Sequence, residues 1–212
     1  MGCTSSRAIA QGVIGSKERK ERSFEDKYAL TEKLLGRGSF SVVQQGSCES
    51  CKKQEVAVKI LLKEGRGVFS NISEDVDVFS EKNRIEDILQ EISIMRRLRH
   101  PNIIQLHDYY EESDRFLLVM DLAPGGDLYE QVKTRPYSEE EAQSLFRNLV
   151  AAIKYLHSLN IVHRDLKPEN ILMKSTDSRT EVYLADFGFA TESSSDDELD
   201  ECVGTPQYAG NG

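Results

Sequence analysis

The sequence predicts an α+β fold in two lobes, and three observations carry that prediction. Residues 28–62 alternate in strand fashion around a glycine turn, and residues 84–98 switch to helical spacing. After Pro124-Gly125-Gly126 a long amphipathic helix dominates. A strand-rich half followed by a helical half implies a small lobe with an antiparallel sheet plus one helix, and a helical large lobe. The 212 residues suffice for a real core. A chain of this length buries roughly 70% of the surface its unfolded form exposes.

Taken in order, residues 1–23 lack apolar periodicity and read as a flexible arm. The small lobe is assigned to 24–123. YALTEKLLGRGSFSVVQQGSC places β-branched residues on both sides of a glycine turn, and QEVAVKILL follows as a third strand. Polar, aperiodic residues from Lys63 to Asn83 read as a long loop. In RIEDILQEISIMRRL, the residues Ile85, Ile88, Ile92, Met95 and Leu98 form one apolar stripe. Glu91 falls inside that stripe, so it either reaches water at the edge or needs a cationic partner in the core. HPNIIQLHDYY and RFLLVMDL read as two further strands.

The large lobe is assigned to 124–212. Ser138 and Glu141 form a capping box that opens a helix through Ala142, Leu145, Phe146, Leu149, Ile153 and Leu156. Short apolar runs in NIVHRDLKPENILM and EVYLADFGFA then alternate with polar loops.

Charge narrows the function. Asp and Glu outnumber Lys and Arg 36 to 27, a net charge of −9, the opposite of what a nucleic-acid binder carries. No apolar run spans a bilayer and no secretory core follows Met1, so the expected location is the cytoplasm with reduced thiols. Cys48-x-x-Cys51 lacks the second pair of a zinc site and reads as an incidental pair in a turn. MGCTSS fits acylation, with Gly2 for myristate and Cys3 for palmitate. The basic run SKERKER would add attraction to anionic lipid on the cytoplasmic face. The alternative is a chance match in a charged lead-in.

Three features carry chemistry together. Gly36-x-Gly38-x-Phe40-Ser41-x-Val43 lets backbone approach a polyphosphate, and it leads into a strand, which argues against Walker and dinucleotide folds. In Val56-Ala57-Val58-Lys59, a small residue and a cation share one strand face, leaving room for a flat ring beside a phosphate. Alone, Lys59 would read as a snorkelling surface lysine; Glu91 is its candidate partner. In His163-Arg164-Asp165-Leu166-Lys167-Pro168-Glu169-Asn170, Asp165 can accept a hydroxyl proton and Lys167 can face a phosphoryl group. Asn170 and Asp186, the latter in Asp186-Phe187-Gly188, offer oxygen ligands of the kind magnesium prefers.

From about Tyr28 onward the chain resembles eukaryotic protein kinases, motif by motif. The resemblance implies a protein-kinase-like two-lobed fold. It also implies transfer of the ATP γ-phosphate, with Mg2+, to Ser/Thr hydroxyls of protein substrates. In that frame Gly36, Arg37, Gly38, Ser39, Phe40 and the backbone through Ser41 would cover the phosphates, and Val42 would belong to the same cofactor-binding set. Ser41 stands where the third glycine is usual. Lys59 would hold phosphate and pair with Glu91. Leu35, Val43, Ala57 and Leu172 would enclose adenine, with Met120 at the back wall. The hinge would run from Asp121 to Ala123, with Asp127 near the ribose. Asp165 would be the catalytic base, and Asn170 and Asp186 the metal ligands. DLKPEN and GTPxY look like a serine/threonine kinase. LGRGSFSVV, EISIMRRLRHPNII and DLAPGGDLYEQV are similar to the calcium/calmodulin-dependent and calcium-dependent group. Acidic residues in TESSSDDELDE either engage Arg164 or form a solvated loop.

The family follows GTPxY with Ala-Pro-Glu and further helices, whereas this sequence reads Ala209-Gly210-Asn211-Gly212. The expectation is a kinase domain truncated after its activation segment, with an incomplete large lobe and little phosphotransfer by these residues alone. The competing expectation is an inactive, membrane-tethered interaction module.

Overall fold

The computed structural model describes residues 23–38, 41–51, 53–63, 78–193 and Thr205; within it, residues 78–83 are described by their backbone only. Gly2, Cys3, Ser39, Phe40 and the acidic run after Ser193 lie outside the described residues.

The small lobe is a five-stranded antiparallel sheet. Its strands are β1 (Tyr28–Arg37), β2 (Ser41–Cys48), β3 (Gln54–Leu62), β4 (Leu106–Glu111) and β5 (Arg115–Asp121), in the order β1-β2-β3-β5-β4. The period-two alternation of β3 gives the sheet two distinct faces. Val56 and Val58 join Phe24, Tyr28, Cys48, Leu117 and Val119 in an outer cluster. Ala57 and Lys59 point to the other face and line a cleft between the lobes. A short 3-10 turn, Phe24–Asp26, carries Phe24 onto the outer face.

Helix α1 runs over Val78–Arg97, starting six residues before the helical segment predicted from Arg84. No glycine or proline occurs between 78 and 97, so nothing stops the helix from propagating backward past the stripe. Residues 78–83 therefore belong to a helix and not to a loop. Of the stripe, Ile88, Ile92, Met95 and Leu98 are buried as expected, whereas Ile85 is only half-buried.

The segment HPNIIQLHDYY is a strand only from Leu106. Pro101 starts a turn in which Asn102 N–H donates to His100 Nδ1 (3.1 Å), and Ile103 makes a single parallel bridge to Leu184. That bridge links the lobes.

The large lobe begins with α2 (Leu128–Thr134), which the apolar pattern does not announce. It is capped by Asp127, whose carboxylate accepts from Glu130 N–H at 2.8 Å. Helix α3 (Glu139–Ser158) opens with the predicted box: Ser138 Oγ accepts from Glu141 N–H at 3.1 Å, and Ser138 N–H donates to Glu141 at 2.9 Å. Leu145, Leu149, Ala152 and Leu156 form its buried face, whereas Phe146, assigned to the stripe, is 61% exposed. Phe146 immediately follows buried Leu145, a step of about 100° around the helix that turns it outward.

Two small two-stranded antiparallel sheets complete the described lobe: β7 (Ile171–Met173) with β8 (Val182–Leu184), and β6 (Ile161–Val162) with β9 (Thr191–Glu192). One continuous core joins Met95 and Leu118 of the small lobe to Phe187, Leu156 and Ile161 of the large lobe. No helix among the described residues is long and apolar enough to cross a membrane.

Cys48 and Cys51 are joined by a disulfide across the turn between β2 and β3. This corrects the reading of an incidental pair of reduced thiols. The turn brings the two Cα atoms to 5.1 Å, inside bonding reach.

Candidate active site

The cleft between the lobes has a volume of about 500 Å3, within the range of small-molecule sites. Its roof comes from β1 and β2, where Leu35, Gly36, Arg37, Gly38, Ser41 and Val43 line it. Gly38 N–H donates to Ser41 O at 2.8 Å and closes the turn between the strands. Val42 does not line the cleft. Adjacent strand residues face opposite ways, so placing Val43 inward turns Val42 out of the cofactor-binding set.

Ala57 and Met120 are register partners on β3 and β5, and both line the cleft wall, nearly buried at 6% and 7% exposure. After β5, Asp121, Leu122, Ala123 and Pro124 cross to the large lobe along the cleft edge. Gly125 N–H then donates to Met173 O (3.2 Å), and Met173 N–H donates to Gly126 O (2.7 Å). A Cβ on Gly125 would lie 2.2 Å from Ser175 O, so only glycine permits this approach. The close contact seats Leu172 in the cleft lining, opposite the glycine turn, with Asp127 beside it.

The two readings of Glu91 resolve in favour of a buried partner. Glu91 is 4% exposed, and Lys59 Nζ donates to its Oε1 at 2.8 Å. The same ammonium donates to Asp186 Oδ1, also at 2.8 Å. Burial works against the Lys59 charge, yet the two carboxylates outweigh it and hold its pKa above the ordinary lysine value. Asp186 is likewise pushed up by burial, but Lys59 wins and leaves it below the usual carboxylate range. Asp186 and Arg164 both sit at positive φ, 63° and 64°. Such conformations persist only where the surroundings impose them. Here Phe187 is fully buried against the His163 ring (centroids 5.0 Å apart), and His163 Nε2 bonds Ala185 O at 3.1 Å.

A second cluster stands next to the cleft. Asp165 is 3% exposed, and Lys167 Nζ donates to its Oδ2 at 2.7 Å. Asn170 Nδ2 donates to Asp165 O (2.9 Å) and Oδ2 (3.0 Å). Thr205 Oγ1 donates to Asp165 Oδ1 at 2.7 Å and accepts from Lys167 Nζ at 2.8 Å. Burial raises the Asp165 pKa, but the bonds from Lys167, Thr205 and Asn170 more than offset it, and the group stays an anion. Asn170 and Asp186 line the cleft; Asp165 and Lys167 lie beyond the lining, reached through Asn170.

Sequence pattern gave no sign of the ties between α1 and the start of the activation segment. Gln90 Nε2 donates to Ala190 O at 3.1 Å, and Arg97 pairs with Glu192. Arg164 Nε donates to Phe189 O at 2.7 Å. These long-range pairs have no local spacing by which to find them. Met95 and Ile104, also in the cleft lining, were legible only as core residues.

The protein kinase domain family matches residues 29–211. The chain is 39% identical over 175 residues to Myosin light chain kinase A of Dictyostelium discoideum, covering 82% of this chain and 54% of that protein. It is 35% identical over 192 residues to Calcium/calmodulin-dependent protein kinase type 1 of Macrobrachium nipponense, covering 90% and 51%. To Calcium-dependent protein kinase 5 of Plasmodium falciparum (isolate 3D7) it is 35% identical over 184 residues, covering 86% and 29%. The chain thus spans about half, or less, of the length of these curated relatives. A match that runs from β1 past the Asp165 cluster takes in every strand and helix lining the cleft, and the chain belongs to the protein kinase family.

Proposed function

We propose that the protein is a serine/threonine kinase that transfers the γ-phosphate of ATP to protein hydroxyls. One observation carries the reading: a threonine hydroxyl is seated between Asp165 and Lys167, at 2.7 and 2.8 Å. A carboxylate and an ammonium around one hydroxyl are what phosphoryl transfer to an alcohol requires. The carboxylate orients the oxygen and takes its proton, and the ammonium faces the charge that develops.

The cleft suits ATP by its lining. Ala57 and Met120 give an apolar wall at the hinge, and Lys59, held charged, sits where phosphates would enter beneath the glycine turn. Asn170 and Asp186 fit Mg2+ by donor chemistry. The Asn170 Nδ2 is spent on Asp165, which leaves its Oδ1 as the ligand atom, and Asp186 is an anion facing the cleft. When bound, Mg2+ would supply positive charge that offsets the charge of the phosphates. Asp165 Oδ1 accepts the proton of the incoming hydroxyl. Lys167 stays bonded to Asp165 Oδ2 and holds it in place. Glu91 fixes the Lys59 ammonium so that it is not drawn wholly to Asp186.

Acylation at Gly2 and Cys3 would place this activity on the cytoplasmic face of a membrane; the MGCTSS start and the basic run after it support that reading. Intact mass of the protein from its native cell should show acyl excess, lost in Gly2→Ala. The activity is tested with γ-labelled ATP and a serine-containing protein substrate. Asp165→Asn should lower transfer by about 10²–10⁴-fold. Equal transfer by the variant would remove Asp165 from the role of base.

A further inference from the structure

We propose that Cys48 and Cys51 form a thiol–disulfide exchange site that responds to small-molecule disulfides and controls docking of the Ser23–Tyr28 segment. The pair spans a turn that three backbone hydrogen bonds also hold. Cys51 N–H donates to Cys48 O (3.2 Å), Lys53 N–H to the same oxygen (3.1 Å), and Gln54 N–H to Cys51 O (3.1 Å). A bridge with a sequence separation of 3 closes a short loop, so it constrains the chain at the low end of what a disulfide can. That modest constraint acts locally, on the turn and the strand edge that it closes.

Access does separate the two sulfur atoms by role. Cys48 is 2% exposed and buried in the outer cluster, whereas Cys51 is exposed at the tip of the turn. Ser50 Oγ lies 3.5 Å from Cys48 Sγ and 3.8 Å from Cys51 Sγ, so a hydroxyl accompanies both sulfurs. Oxidised glutathione supplies the oxidant. The Cys51 thiolate attacks one of its sulfurs, and its S–S bond breaks to release one glutathione thiolate, which takes up a proton. Cys48, losing its proton to water, then attacks Cys51 Sγ in the mixed disulfide and expels the second glutathione. Two electrons leave the cysteine pair and reduce one glutathione disulfide to two thiols; the reverse sequence begins at exposed Cys51.

The consequence reaches the start of the fold. Cys48 is the register partner of Tyr28, and its side chain packs with Phe24 and Tyr28 in one cluster. The next residue, Glu49, donates its N–H to Lys27 O at 2.9 Å. The bridge adds a covalent anchor to this edge, and its reduction leaves Cys48 held by the backbone bonds of the turn alone.

The test equilibrates the intact protein in glutathione buffers of stepped composition, traps free thiols, and follows the peptide containing both cysteines by mass spectrometry. The expected result is full interconversion, with the disulfide-to-dithiol ratio changing about tenfold for each tenfold change in [GSSG]/[GSH]², as a two-cysteine exchange requires. A bridge that persists at every ratio, or never forms at any, overturns the proposal. Trypsin cleavage after Lys27 reads the docking. Cleavage should be about tenfold faster in the reduced protein and in Cys51→Ser than in the oxidised protein, as local opening there becomes easier. Equal cleavage rates overturn the coupling to the segment.

Discussion

The two faces of the β1–β5 sheet use the same pair of charges to different ends. On the cleft face Lys59 meets Glu91 at 2.8 Å, with side chains 12% and 5% exposed. On the outer face Lys27 meets Asp108 at 2.6 Å, with both side chains about a third exposed (32% and 33%). Distance does not rank them. Burial does, because an ion left without its partner can be rehydrated outside and cannot be inside. The cleft pair is therefore a device that positions charge for chemistry, and the outer pair trims a surface held mainly by apolar packing.

The comparison breaks most visibly at Glu91. Glu91→Ala should cost about 3 kcal/mol, the lower end for an uncompensated buried charge because Lys59 keeps Asp186; chemical denaturation measures it. Phe24→Ala comes next. Phe24 is 4% exposed and its ring packs on Tyr28 and Tyr110, so about 3 kcal/mol should be lost from the outer face, with the cleft intact. Lys27→Ala should cost about 1 kcal/mol or less on the same assay, since its partner stays wet.

Salt and pH sharpen the contrast further. Raising salt to about 1 M shortens screening to about 3 Å, so the Lys27 effect should vanish while the Glu91 effect persists. Asp186 and Asp165 have depressed pKa values, so their contribution to stability is present above the unfolded value of 3.8 and fades as pH falls through the folded values below it. Lys59 is raised, so its contribution is complete below 10.5 and fades only as pH rises through its folded value. The melting temperature should then show no step from these three groups between about pH 5 and 9. A step near neutrality would have to come from another group.

What was legible in the sequence follows the same physics. Periodicity exposed β3, the stripe of α1 and the buried face of α3, because each repeats along the chain. The capping box at Ser138 was readable since its two bonds are local. Glu91 was legible as a problem, an acid in an apolar stripe, with Lys59 as its candidate partner, and resemblance favoured that pairing. Helix α2 went unannounced because its seven residues bury none of their own side chains fully. The early start of α1 was hidden because the backbone runs on past the apolar signal. Arg97 and Glu192 meet across 95 residues, and no spacing rule reaches that far.

The measurement that tests this account most directly is γ-phosphate transfer by Glu91→Gln and Asp108→Asn, side by side with the parent protein. Each variant removes one carboxylate charge from a lysine, one on each face of the sheet. If the cleft face assembles the reaction, Glu91→Gln should fall by about 10²-fold through misplacement of Lys59. Asp108→Asn should stay within about twofold of the parent, as a surface pair allows. Equal rates in the two variants would contradict the assignment of Lys59, Glu91 and Asp186 as the assembled site.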